Sequence, residues 1–389
     1  MKTDKKFKKL KIIIFTLLTL SFFAVLLFIL SSTKNTDEKF VLNPSNFFNI
    51  NLFKDLSTDQ EYINTQLEIV ETATKQQDDK KYPSVISVEY LRTLNIDSDK
   101  VQIEQELSNG FNYKRYIASY KSQGYKIYGL LTVPNDPMPN GGYSAIVFNH
   151  GYIPPTQYVT TQKYVAYVDY LARNGFVVFK IDLRGHGKSE GTAFGSYFSN
   201  AYSIDAISAL KSLQKYEIIN KDKIGMWGHS MAGNLVLRSM LMTDQIKAGV
   251  IWAGAVYSYK DFAKYKISDN SFMRRSYQQV QLDLLNNRET SLEIQKIREN
   301  PSEIDFENEF WSSISLTKNL NYLSAPLQLH HSIDDNVTNI GYSKDLAKEL
   351  DLNGKKYEFF EYSGGGHNIN SPYFETAIKR TAEFFKLNL

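Results

Sequence analysis

Six histidines fall in five short segments rich in Gly or Asp: His150, His186, His229, the pair His330-His331, and His367. The segment with the most chemistry is Lys223-Ile224-Gly225-Met226-Trp227-Gly228-His229-Ser230-Met231-Ala232-Gly233. An apolar run enters it and a helix-prone stretch, NLVLRSMLM, leaves it. A serine nucleophile is presented by such an order. It sits on a strained strand-to-helix turn, with small residues two before and two after allowing close backbone approach. Ala232 stands where glycine is usual, and Gly233 follows.

A serine hydroxyl at its ordinary pKa needs an adjacent base. His367, in Ser363-Gly364-Gly365-Gly366-His367-Asn368, is the candidate, on a loop that three glycines leave free to turn. A carboxylate must then orient the imidazole and stabilise its protonated form. The apolar run 325–332 ends in two acids, Asp334 and Asp335, of which only one can hold the base. The chain order Ser, Asp, His is that of one class of serine hydrolase and differs from the chymotrypsin and subtilisin orders. Backbone amides must also meet the negative charge that develops on the attacked carbonyl. Met231, directly after the nucleophile, is one candidate. The other is Tyr152, by amide or phenol, in the loop closing Asn149-His150-Gly151-Tyr152.

Elements that could position these residues are legible from about residue 110. Strands are expected at 113–119, 126–133, 145–149, 176–181, 224–227, 248–252, 327–330 and 357–362, with helices at 160–173, 202–214, 231–243, 341–352 and 372–386. Strands alternating with helices of this length predict an α/β fold with a mostly parallel, eight-stranded sheet. The first two strands read as a hairpin about Gln123-Gly124. Residues 257–320 interrupt the rhythm and read as a helical insertion, a lid above the sheet. The carboxyl ends of the strands form the ligand crevice in such a fold.

The sequence resembles the α/β-hydrolase superfamily, in particular its prolyl-oligopeptidase-like serine peptidase and dienelactone-hydrolase-like branch. The resemblance rests on Asn149-His150-Gly151, on Asp182-Leu183-Arg184-Gly185-His186-Gly187-Lys188-Ser189-Glu190-Gly191, on the serine segment, the acid-bearing strand and Gly366-His367-Asn368. It covers about residues 110–389. It implies an α/β-hydrolase fold and hydrolysis of peptide or acyl-amide bonds, with carboxylesterase and non-catalytic binding module as alternatives. Counted from Pro326, the resemblance puts the acid at Asp335; the Asp-Asp-Asn-Val string seen in dipeptidyl-peptidase relatives favours Asp334. Asp335 is the expected member, beside Ser230 and His367. Met231 stands where that branch usually carries an aromatic residue, and a gating propeller has no room in this chain.

Composition excludes other classes. Among 389 residues there is no Cys, which removes thiol catalysis, Cys-bound zinc and disulfides. A net charge of +3 without a basic block in the body argues against nucleic acid. No phosphate-loop pattern is present, and the serine segment accounts for the residues a metal site would borrow, so no cofactor or metal is expected. The partners expected are a small-molecule or short-peptide substrate and a membrane. Residues 1–11 hold six Lys, and 12–30 run 19 residues without a charge. A helix of that length spans roughly 28 Å. The reading is a cytoplasmic basic tail (1–11), a transmembrane signal anchor (12–30), a stalk with a small helical element (31–105) and an extracytoplasmic catalytic domain (106–389).

Overall fold

The computed structural model describes residues 82–193, 197–265, 267, 296–297 and 300–389. The basic tail, the expected anchor over 12–30, the first part of the 31–105 extension and much of the 257–320 insertion lie outside the described residues. Among those described, no helix is long and apolar enough to cross a membrane.

The chain forms α1 (Val88–Thr93), then β1 (Gln102–Leu107), β2 (Tyr113–Ser122), β3 (Tyr125–Pro134) and β4 (Tyr143–Asn149). There follow α2 (Val165–Arg173), β5 (Val177–Ile181), α3 (Ala201–Gln214), β6 (Ile219–His229), α4 (Met231–Met242) and β7 (Gly249–Trp252). After α5 (Tyr259–Tyr265) and α6 (Glu309–Ile314) come β8 (Leu327–Ser332), α7 (Gly341–Leu352), β9 (Tyr357–Tyr362) and α8 (Phe374–Asn388). One sheet runs in the order β1-β2-β3-β5-β4-β6-β7-β8-β9. Strands β4 to β9 pair in parallel, while β1, β2 and β3 are antiparallel additions at one edge.

Among the described residues the sheet therefore has nine strands where eight were expected. The extra one is β1, whose first five residues are all exposed. It gives no alternating signal because backbone pairing to β2, rather than burial of one face, holds it at the edge. The hairpin expected about Gln123-Gly124 is present, with positive φ at both residues (48° and 84°), the geometry of a tight turn matched to strand twist.

Adjacent residues in the central strands alternate between two cores, as a two-residue period requires. Ala145, Val147, Val177 and Phe179 face one cluster with α3 and α4; Ile146, Phe148 and Val178 face the other, against α2 and α8. Burial on both faces explains why β5 reads Val-Val-Phe-Lys-Ile, a nearly continuous apolar run. The segment at 82–101 belongs to this body. Ile86, Val88, Leu91 and Val101 are buried in the first cluster, and Arg92 donates to the Leu241 carbonyl at the end of α4 (2.7 Å).

Candidate active site

Strand β6 delivers Ser230 onto the turn into α4. Its backbone lies at φ 57°, ψ −123°, a conformation L residues rarely adopt. Such strain persists only where neighbours hold it. Here the Ser230 amide donates to the Trp252 carbonyl (2.9 Å), and the Ser230 carbonyl accepts from Gly233 (2.8 Å). The glycines of the segment have separate reasons. A Cβ at Gly228 would lie 2.5 Å from the Ala232 carbonyl oxygen, so β6 and α4 can approach only there without a side chain. Gly233, one place after the usual position, faces Gly254, whose Cα would lie 2.6 Å from an added Cβ.

Strand β8 delivers the acids. Asp335 and His367 are brought together, Nδ1 of the imidazole lying 2.8 Å from Oδ2. Asp334 is turned elsewhere: its Oδ1 accepts the Gly366 amide (2.9 Å), capping the loop that carries His367. The Asp335 side chain is fully buried and ringed by donors. Oδ1 accepts the amides of Val337 (2.8 Å) and Thr338 (3.0 Å), and His331 Nε2 lies 3.2 Å from Oδ2. Burial alone would raise its pKa. The hydrogen bonds from His331 and His367, the charge of His367 and the Thr338 amide outweigh it and hold the carboxyl well below the usual range. With Nδ1–H given to a carboxylate, Nε2 of His367 is left as the acceptor for a serine hydroxyl. The loop itself needs its glycines: Gly365 and Gly366 lie at φ 104° and 60°, and Ile369 after them anchors it in the core.

The opposite wall is built from β4. Here His150, buried at the strand end, donates through Nδ1 to the Gly151 carbonyl (2.7 Å) and accepts the Leu183 amide on Nε2 (3.3 Å). In a trans peptide the N–H points opposite to the C=O. Pinning the Gly151 carbonyl inward thus directs the Tyr152 amide away from His150. Tyr152 is itself 45% exposed. His186 Nε2 sits 3.1 Å from the Ile153 carbonyl, fastening the far side of the same loop. Met231 occupies the first position of α4, where backbone amides have no partner within the helix and the helix end is electropositive.

Two further residues join the walls: His229 lies inside the serine segment but had no role assigned to it, and no motif or spacing pointed to Tyr164. Tyr164 Oη accepts the Gly151 amide (2.9 Å) and lies 2.9 Å from His229 Nδ1. His229 Nε2 reaches the His367 carbonyl (2.9 Å). Burial, and secondarily the charge of His367, push the His229 imidazole down to about 3, so it is neutral. The pair His330-His331 is internal: His330 bonds to Tyr362 and Gln328, and His331 to Ser343 and the Thr338 carbonyl. Among the described residues no group of three or more His, Asp or Glu side chains is arranged to hold a metal ion.

Residues 143–371 match the family described as serine aminopeptidase, S33. The chain belongs to that family. Its likeness extends to an uncharacterized peptidase, YtmA, of Bacillus subtilis, 27% identical over 275 residues, which is 70% of this chain and 93% of that protein. Dipeptidyl peptidase 8 of Homo sapiens is 33% identical over 139 residues, 33% of this chain and only 15% of the relative. Among solved structures, acylaminoacyl peptidase of Pyrococcus horikoshii superposes with TM-score 0.55 at 20% identity, covering 72% of this chain and 42% of that one. An acetyl xylan esterase from Paenibacillus sp. R4 gives TM-score 0.53 at 17% identity, covering 76% and 91%. The fold is thus that of the α/β-hydrolases of the prolyl-oligopeptidase-like and esterase kind, and the chain is a serine hydrolase.

Proposed function

We propose that this protein is a membrane-anchored, extracytoplasmic hydrolase that cleaves peptide or acyl-amide bonds through Ser230, Asp335 and His367. The observation that carries the reading is the buried, ionised Asp335 bonded to His367 on the loop tied to the strained turn of Ser230. His367 takes the Ser230 proton as Oγ attacks the carbonyl, and the Asp335 charge stabilises the imidazolium. The amides of Tyr152 and Met231 receive the oxyanion. His367 then protonates the leaving amine, and a water molecule, activated by the same imidazole, releases the acyl group from Ser230. In support of a peptide substrate stand the S33 family match and the peptidase relative spanning nearly the whole of its own length.

A carboxylesterase is the second reading. It is favoured by the coverage of 91% of an acetyl xylan esterase, a chain with no large additional domain beyond this one's extent. The N-terminal anchor is supported by six Lys before 19 uncharged residues. Purified protein is to be assayed on p-nitrophenyl esters and on aminoacyl- and peptidyl-nitroanilides, beside Ser230→Ala. Anilide turnover lost in that variant is expected; ester turnover alone would select the esterase. Turnover equal in both proteins would refute the mechanism, and a Ser230 that no fluorophosphonate labels would leave a binding module. Protease treatment of intact cells should digest the catalytic domain; full protection would refute the topology.

A further inference from the structure

We propose that Tyr164 and His229 form a directional hydrogen-bond bridge that holds the oxyanion loop and the general-base loop in one register, making both positioning residues for the reaction. The inference rests on the serine-hydrolase reading above and adds two residues to it.

The direction of each bond follows from what each atom can do. The His367 carbonyl only accepts, so His229 must donate from Nε2 across their 2.9 Å. A neutral imidazole has one N–H, so Nδ1 is then an acceptor, and the partner at 2.9 Å, the Tyr164 hydroxyl, donates to it. Its one proton spent, the phenol oxygen still accepts, and it takes the Gly151 N–H at 2.9 Å. Burial depresses the imidazole's basicity and raises the phenol's pKa, so both ends stay neutral and the polarity is stable at neutral pH. The bridge runs Gly151 N–H, Tyr164 O–H, His229 Nε2–H, His367 C=O. It joins the peptide next to Tyr152 to the backbone of the base, passing through the residue before Ser230.

Backbone geometry gives an independent reason to assign Tyr164 this work. It stands at φ 59°, ψ 27°, before the first turn of α2, where glycine would be free of strain. Only a side chain with a hydroxyl at ring length can make the two bonds. The ring is packed edge-on against Phe148 (5.5 Å between centroids), Trp227 (6.0 Å) and His229 (5.7 Å). One turn later Tyr167 donates to the Asn368 carbonyl (2.8 Å), so α2 grips the base loop a second time. Gly151 is tightly enclosed at this junction: an added Cβ would lie 3.0 Å from both the Tyr164 hydroxyl and the His229 carbonyl oxygen and would press on the bridge.

The test uses the full chain with Tyr164→Phe, His229→Phe, His229→Gln and the double Phe variant. Readouts are kcat and KM on a p-nitrophenyl ester, the rate of fluorophosphonate labelling of Ser230, and the thermal midpoint. Loss of register at the reacting atoms can cost up to about 100-fold. Each Phe variant is expected to lose about 10- to 100-fold in kcat and labelling rate, with KM changed less than about 3-fold. The double variant should be no worse than the more impaired single one, since either change breaks the same bridge. His229→Gln, which keeps one donor and one acceptor, should recover most of the loss. Kinetics within about 2-fold of the unsubstituted protein would overturn the bridge, as would multiplicative losses or a Gln variant as slow as Phe. The ¹⁵N spectrum of the unsubstituted protein tests it without any substitution: His229 must be the neutral Nε2–H tautomer, and the Nδ1–H tautomer overturns the proposal. A Ser230 that does not label in the unsubstituted protein overturns the serine-hydrolase reading instead, and the bridge with it.

Discussion

The two walls of the crevice use histidine in opposite ways. On the β8 side, His367 meets a carboxylate buried among donors, and the pair carries charge. On the β4 side, His150, His186 and His229 are buried, their pKa values are lowered by desolvation, and each fastens backbone groups. In the proposed mechanism one wall moves a proton, while the other keeps peptide groups still. The lesson is that residue type names a possible chemistry, while burial and partner decide whether it is used. Only His367 combines partial exposure (16% of its side chain) with an ionised partner; the other five are nearly inaccessible.

This contrast can be broken in order of expected effect. Ser230→Ala or His367→Ala should lower kcat by roughly 10⁴- to 10⁶-fold while the protein stays folded, read by steady-state assay and circular dichroism. A far smaller loss would mean that the charged wall does no chemistry. Asp335→Asn should cost about 10⁴-fold, because the imidazole loses both its tautomer and its counter-charge. Asp334→Asn, which removes only a cap on the Gly366 amide, should cost less than about 10-fold. Equal losses at the two acids would erase the distinction between holding the base and holding its loop.

On the neutral wall, His150→Phe frees the Gly151 carbonyl and lets the Tyr152 peptide rotate. Removing one oxyanion donor costs about 10²- to 10³-fold in kcat, so a loss up to that size with KM little changed is expected. A change confined to KM would move Tyr152 from transition-state stabilisation to substrate binding.

The smallest effect compares two buried carboxyls. Asp261, at the start of α5, is raised to about 6 by burial, with Asp345 adding to the rise and the Ser258 bond opposing it. A raised folded pKa means that its contribution is fully present below the unfolded value and is lost as pH rises through about 6. Asp335 has the reverse sign: its contribution is present above the unfolded value and disappears only as pH falls toward its depressed folded pKa. Urea midpoints of wild type and Asp261→Asn at pH 4.5 and pH 7.5 should therefore diverge, the variant gaining relative stability at the higher pH. A difference that is the same at both values would show that Asp261 does not titrate between them.

The parallel core was readable because each central strand carries an apolar run, and its two-residue alternation divides it between two cores. Strand β1 was not readable, since an exposed edge strand has no side-chain pattern to betray it. Ser230, His367 and the candidate acids were visible for a different reason. The nucleophile turn and the glycine loop impose backbone demands that only a few residue types meet, so local composition marks them.

What the sequence determined by itself was therefore local: which strands can be buried, where a serine can sit on a strained turn, and that no thiol is available. Tertiary structure decided the rest. Asp335 rather than Asp334 faces His367 because the turn that follows the end of β8 at Ser332 aims the two acids apart, Asp334 to the Gly366 amide and Asp335 to the imidazole. Tyr164 meets His229 across 65 residues of chain, a contact only the packing of α2 on the sheet creates. Side-chain spacing along a chain encodes neighbours within one element. A hydrogen bond between two loops depends on how their elements pack.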